Sequence, residues 1–282
     1  MSKVAIVTDS TVNLPENYVK EYGIIVAPQI VIWDGVTYQD GIDIHTDQFY
    51  QRLKNSSTSP TTSQVSVIAF KEIFKQQLDE GNQVLCVCIS SKLSGTLNSA
   101  TQAKEAFPGA PIELIDSRMA SMALGFQVLQ AARAAQNGAS LPEMKSVVER
   151  AISQTGAFFV VETLEYLHRG GRIGNAARFV GTALNLKPIL HLQDGGVESA
   201  AKVRTYKKAV EKMFSLLDKE LEHSRQNRLS VLHAASPVEA DEVFQELKAR
   251  FAPVELLTTE VSPVIGTHTG PGTIGVAFMR DM

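Results

Sequence analysis

Two cysteines, one tryptophan and a net charge of −3 leave this 282-residue chain with few features that assign a class at sight. Cys86 and Cys88, in QVLCVCIS, stand two apart on a strand pattern and share one face of an apolar segment. No further Cys or nearby His completes a metal site, so the pair reads as core. The small net charge argues against a general nucleic-acid binder, although a local basic patch stays open. No run approaches the roughly 18 apolar residues that a membrane span requires. The opening MSKVAIVTDS lacks the apolar core and cleavage site of a signal peptide. The expectation is a cytoplasmic protein without stable membrane insertion. A P-loop is also missing, so nothing obviously binds ATP.

What is present reads as an ordinary globular protein, 44% hydrophobic and 20% charged. The length suits two domains sharing a cleft. Up to about residue 155, short apolar runs alternate with helical patterns, as in an open, mostly parallel α/β sheet. KVAIVTD is the expected first strand, IIVAPQIVIWDGVTY a hairpin turning at Asp34-Gly35, and QVLCVCIS and PIELIDS further strands. From GAFFVVE the pattern restarts as a second α/β unit, with a hairpin at Asp194-Gly195 and a final strand in TIGVAFM. TLEYLHRGGRIGNAARFVGTALN predicts a turn of helix, a Gly-rich break and another helix. The expected domains are 1–155 and 156–282, with the ligand cleft between or within them. No linker or internal repeat stands out.

The chemistry concentrates in a few stretches. Gly270 to Gly275 spells G-x-G-x-x-G, but a strand follows it and the chain ends soon after, so the dinucleotide context is missing. In CISSKLSGTLNSA a strand runs into a helix, where free N–H groups favour an anion. Ser94, Gly95 and Thr96 would serve it, with Ser90, Ser91 and Asn98 nearby; simple helix capping is the alternative. TSPTTSQVS places Thr62 and Ser63 ahead of a helix starting near Val65, as caps or as hydroxyls for a ligand. His268 has no acidic residue or second His beside it, which disfavours a metal. Gly266, Gly270 and Gly272 keep the backbone around it bare and suit the approach of a ligand. Ser94 with His268 as base is the hydrolase alternative, although KLSGT lacks the first Gly of a nucleophile elbow.

Arg169, Arg172 and Arg178 surround a Gly pair, and Lys202, Arg204, Lys207 and Lys208 follow in KVRTYKK. These are solvated faces, or contacts to phosphate or an acidic partner. Asp9-Ser10 and Asp116-Ser117 end strands where open α/β sheets hold ligands, and either pair can instead cap the next helix. Met119, Met122, Leu124 and Phe126 belong to a helix apolar around most of its circumference, which suits a packed core or the wall of a cavity.

Together these stretches closely resemble the DegV family of bacterial fatty-acid-binding proteins. VTDSTVNLP, TTSQ, SSKLSGTLNSA, DSRMASMALG, TLEYLHRGGRIG, KPIL and GTHTGPGTIGVAF occur in family order over essentially the whole chain. One departure is Val65, where the family often has Pro after T-S-Q. The resemblance implies a two-domain α/β protein that buries a long-chain fatty acid, with no other cofactor and no metal. It implies a carboxylate held by Thr62, Ser94 and His268, with the backbone N–H of Gly95 as a further donor. It also implies presentation of the acid to the ATP-binding subunit of a fatty acid kinase, which makes an acyl-phosphate for phospholipid synthesis. Arg172 and Arg204 would then assist docking or phosphoryl transfer. The energetics suit that division of labour: each buried methylene contributes roughly 0.8 kcal/mol, so the tail supplies affinity and the head group needs only its donors satisfied.

Overall fold

The computed structural model describes residues 3–179 and 187–282. Strand β1 (Val4–Asp9) leads through a short 3₁₀ turn to helix α1 (Glu16–Tyr22), which Gly23 closes in the left-handed region at φ 61°. β2 (Ile25–Ala27) is followed by the hairpin β3 (Ile30–Trp33) and β4 (Val36–Gln39). Asp34 and Gly35 take φ of 51° and 78°, the double positive φ that a two-residue hairpin turn demands. Next come α2 (Thr46–Asn55), β5 (Thr61–Ser63), α3 (Val67–Asp79), β6 (Gln83–Cys88), α4 (Thr96–Lys104) and β7 (Ile112–Asp116). α5 (Ser121–Gln136) and α6 (Leu141–Gln154) follow, the latter started by a capping box of Ser140 and Glu143.

The second half begins with β8 (Thr155–Val160) and α7 (Glu165–Arg169), then a 3₁₀ segment at Gly174–Phe179. The helix expected after the Gly-rich break is 3₁₀ where it is described, and its continuation lies outside the described residues. β9 (Lys187–Gln193) and β10 (Gly196–Val203) form the expected hairpin, with Asp194 and Gly195 at φ 49° and 84°. α8 (Tyr206–Leu221), β11 (Asn227–His233), α9 (Pro237–Phe251), β12 (Glu255–Glu260), α10 (Pro263–Thr269) and β13 (Ile274–Arg280) complete the chain.

These strands make three sheets. One is wholly parallel, in the order β2-β1-β6-β7. A small antiparallel sheet, β4-β3-β5, stands beside it. The third has the order β10-β9-β8-β13-β11-β12, and only its β11–β12 pair is parallel.

Alternation along β6 shows how the layers stack. Leu85 and Val87 face the cluster containing α5 and α6, while Val84, Cys86 and Cys88 face α3 and α4 with Phe70, Phe74, Ala100 and Ala103. The two cysteines are therefore core, with their sulfurs 3.6 Å apart and the Cys88 thiol pushed well above its ordinary pKa by its bond to Cys86 and by burial. α8 and α9 cover the outer face of the six-stranded sheet. α5 lies between the two large sheets and touches β1 and β6 on one side and β8, β11 and β13 on the other. Every residue from Ser121 to Ala131 is buried, which explains a helix apolar all round. Met119, Met122, Leu124 and Phe126 all pack in this core and none lines the cavity described below.

Candidate functional site

Strand order reverses between β1 and β6: the chain leaves β1 for β2 on one side and returns to β6 on the other. Open α/β sheets hold ligands at this switch point, outside the carboxyl ends of the strands. Asp9, at the end of β1, is fully buried there and ties the two strands together. Its carboxylate accepts from Ile89 N at 2.8 Å, Thr11 Oγ1 at 2.6 Å, Thr11 N at 3.1 Å and Gln29 Nε2 at 3.0 Å. Burial raises its pKa and these donors oppose the rise. Ser10 gives its hydroxyl to Asp40, 2.6 Å away. Asp9 thus braces the cavity-lining Thr11, Gln29 and Ile89 from behind, while Ser10 and Asp40 lie against a separate surface pocket. Asp116 has a similar duty, accepting from Ser91 Oγ at 2.5 Å and Arg118 N at 2.9 Å, and Ser117 closes its own turn onto Met119.

Beside these groups lies a cavity of about 220 Å³. Ile89, Leu93, Ala157, Phe159, Leu192 and Val264 contribute to its apolar wall. Thr62, Ser94 and His268 line it together, although 206 positions separate Thr62 from His268. Thr62 comes from β5, held opposite Val31 of β3. Its Oγ1 lies 2.8 Å from Nε2 of His268, in the last turn of α10. Ser94 Oγ lies 2.9 Å from Thr96 Oγ1 and receives Thr96 N at 3.3 Å. Gly95 is the N-cap of α4 and has no side chain to cap it, so apart from Thr96 N the helix end stays available to an anion.

His268 is neutral across the physiological range. Desolvation, helped by the charge of Arg172, brings its pKa down to about 4. Its Nδ1 is buried and bonds to nothing among the described residues. That absence weighs against a Ser/His hydrolase: no carboxylate orients the ring, Nε2 is engaged with Thr62, and Ser94 bonds to Thr96. Among the described residues, no group of three or more His, Cys, Asp or Glu could hold a metal.

Arg172 also lines the cavity. Its Nε donates to Leu93 O at 3.0 Å and its Nη1 to Gly170 O at 2.6 Å, which ties the Ser94 loop to the Gly-rich break. Arg204 does not join it. It is exposed just past the end of β10, seven positions beyond the cavity-lining Val197 and so roughly 20 Å along the strand at ~3.3 Å per residue. Arg169 bonds to Glu165 and Ser59, and Arg178 and Lys202 pack against the Phe179 ring. Lys207 and Lys208 lie in the exposed first turn of α8.

Two local expectations are corrected. Thr62 and Ser63 do not cap the following helix: they are in β5, and Ser66 caps α3 by accepting from Ala69 N at 3.1 Å. The glycines around His268 make room for protein side chains. A Cβ on Gly266 would strike Tyr50 and Phe49, one on Gly270 the Tyr166 ring, and one on Gly272 would press on Glu162. Gly266 is inside helix α10, and Gly270 and Gly272 lie in the turn that follows it. Sequence reasoning also missed Gln29, Thr11 and Ser121 in the cavity wall. Their only signal was proximity to the end of a strand or the start of a helix.

The DegV family, whose members carry the description "uncharacterised protein", matches residues 3–281. A DegV domain-containing protein of Caldanaerobacter subterraneus subsp. tengcongensis is 36% identical over 278 residues, 99% of each chain. The Bacillus subtilis protein DegV is 33% identical over 276 residues, 98% of each. The crystal structure of that protein, described as a fatty acid binding protein, has a TM-score of 0.91 at 32% identity and full coverage of both chains. A fatty-acid-binding DegV family protein from Thermus thermophilus has a TM-score of 0.94 at 37% identity, covering 99% of this chain and 100% of its own. Among the described residues no helix is long and apolar enough to cross a membrane. The chain belongs to the DegV family.

Proposed function

We propose that this protein binds a long-chain fatty acid in the cavity, with the carboxylate at Thr62, Ser94, Gly95 and His268, and presents it to a partner kinase. The observation that carries the reading is the Thr62–His268 hydrogen bond in the wall of a mainly apolar cavity that Ser94 also lines. Two hydroxyls, the start of α4 and an imidazole supply donors that a buried carboxylate needs. The tail contributes affinity at roughly 0.8 kcal/mol per buried methylene. In the matching structures from Thermus thermophilus and Bacillus subtilis the proteins are described as fatty-acid-binding. A neutral His268 leaves the carboxylate unpaired by imidazolium, hence nucleophilic. On the kinase, a carboxylate oxygen would attack the terminal phosphorus of ATP, forming the acyl-phosphate as ADP leaves.

Native mass spectrometry of the purified protein, followed by lipid extraction, tests the binding. One intact fatty acid per chain is expected. A ligand-free protein that turns over acyl esters, and loses that turnover in Ser94→Ala, would overturn the proposal.

A further inference from the structure

The cavity wall holds polar groups that the carboxylate does not use. Gln29 lines it and is only 2% exposed. One N–H of its Nε2 is given to Asp9 at 3.0 Å, and no donor among the described residues reaches its Oε1. Gln29 Oε1 is not among the sealed orphan atoms of the described residues, such as Thr8 Oγ1, and Gln29 lines the cavity. Thr11 lines the same wall and bonds to the same Asp9 oxygen at 2.6 Å, so the two groups are neighbours. Ser121, at the start of α5, lines the cavity as well and donates to Asn13 Oδ1 at 2.9 Å.

Proton inventory gives these groups a prevailing sign. The hydroxyl protons of Thr11 and Ser121 are already placed on Asp9 and Asn13, and the Gln29 amide faces Asp9. What remains is the acceptor capacity of both hydroxyl oxygens and of Gln29 Oε1, beside one uncommitted N–H of Gln29. Acceptors outnumber that donor, so a hydroxyl, which both donates and accepts, suits these groups better than an acceptor-only carboxylate.

We propose that Gln29, with Thr11 and Ser121, forms a second polar station in the cavity that accepts a hydrogen bond from a hydroxyl on the acyl chain. It makes hydroxylated fatty acids a ligand class of this protein. The inference rests on the fatty-acid reading above and adds a selectivity to it. A buried acceptor matched by a hydroxyl distinguishes ligands with and without that hydroxyl more sharply than an apolar wall does.

The test uses delipidated protein, octadecanoic acid, and a positional series of monohydroxy octadecanoic acids that displace a fluorescent fatty acid. The affinity ratio of hydroxy acid to parent is read within each variant, so changes in folded fraction cancel. At one hydroxyl position the ratio should fall about tenfold in Gln29→Leu, with octadecanoic acid retained. Ser121→Ala leaves the Asp9 cluster intact and should lower the ratio at that same position. Ratios that match wild type in both variants at every position overturn the station while leaving fatty-acid binding in place. Failure of octadecanoic acid and the whole series to bind wild type overturns both.

Discussion

The imidazole of His268 lies against the bare Cα of Gly170, so close that any Cβ there would overlap Nδ1. The glycine is what lets α10 deliver its histidine to Thr62. Gly170 itself is in ordinary right-handed backbone at φ −76°, so alanine is permitted by the chain and forbidden by the ring. Gly170→Ala should displace the imidazole, break the Thr62 bond and weaken fatty-acid binding about fivefold, the loss of roughly 1 kcal/mol. Displacement of a fluorescent fatty acid reads the change; unaltered affinity with an unaltered His268 resonance would refute the contact.

The His268 ring should stay neutral down to a pKa of about 4 in ligand-free protein. Nitrogen-detected titration of the imidazole gives the midpoint. Removing the neighbouring charge in Arg172→Ala should raise it toward the ordinary value, and a bound carboxylate should raise it too. The sign for stability follows: the unfolded chain takes up the proton first, so His268 contributes stability above its unfolded pKa of ~6.5 that is lost as pH falls toward 4. A midpoint near 6.5 in the ligand-free protein contradicts this picture.

His268→Ala should impair phosphoryl acceptance more than retention of the acid, because the buried methylenes hold the tail and the imidazole positions only the head. Single-turnover acyl-phosphate formation, set beside bound lipid by mass spectrometry, separates the two. Equal losses would refute the division.

Gly95 tests the other side of the head-group site. A Cβ there would collide with the Gln64 carboxamide, which donates to Ser99 Oγ at 2.9 Å. Gly95→Ala should cost about 1–2 kcal/mol of stability through that displaced bond. Chemical denaturation checks it, and a variant as stable as wild type would show that Gln64 simply moves aside.

Arg172 and Arg204 should differ. Arg172→Ala removes the tie to Leu93 O and should weaken retention of the acid, whereas Arg204→Ala should leave retention unchanged. Kinase-coupled acyl-phosphate formation that survives both changes would remove the two arginines from the transfer step.

Most strands and helices were legible because their apolar periods and turn residues agree with the fold. The exceptions are instructive. β5 is a run of hydroxyl residues with no strand pattern, and it is a strand because Thr62 pairs with Val31. α10 holds Gly266 and four β-branched residues and is only seven residues long, so its local propensity is poor; Asp40 beneath Val264 N and Tyr50 beneath Gly266 support it. Burial brings the pKa of Asp40 up to about 6, even though Ser10 Oγ at 2.6 Å and Val264 N at 3.4 Å donate to it. Thr62, Ser94 and His268 stood out as single candidates from the residues and were grouped as one carboxylate site by the family resemblance, whereas Gln29 escaped because its role depends on its bond to Asp9.

The position of α5 has a mechanical consequence. One helix is the shared wall of both large sheets, so parting the two halves like a clam would strip one of its faces bare. An exchange of the proposed ligand that keeps α5 covered leaves the two sheets closed on their common helix.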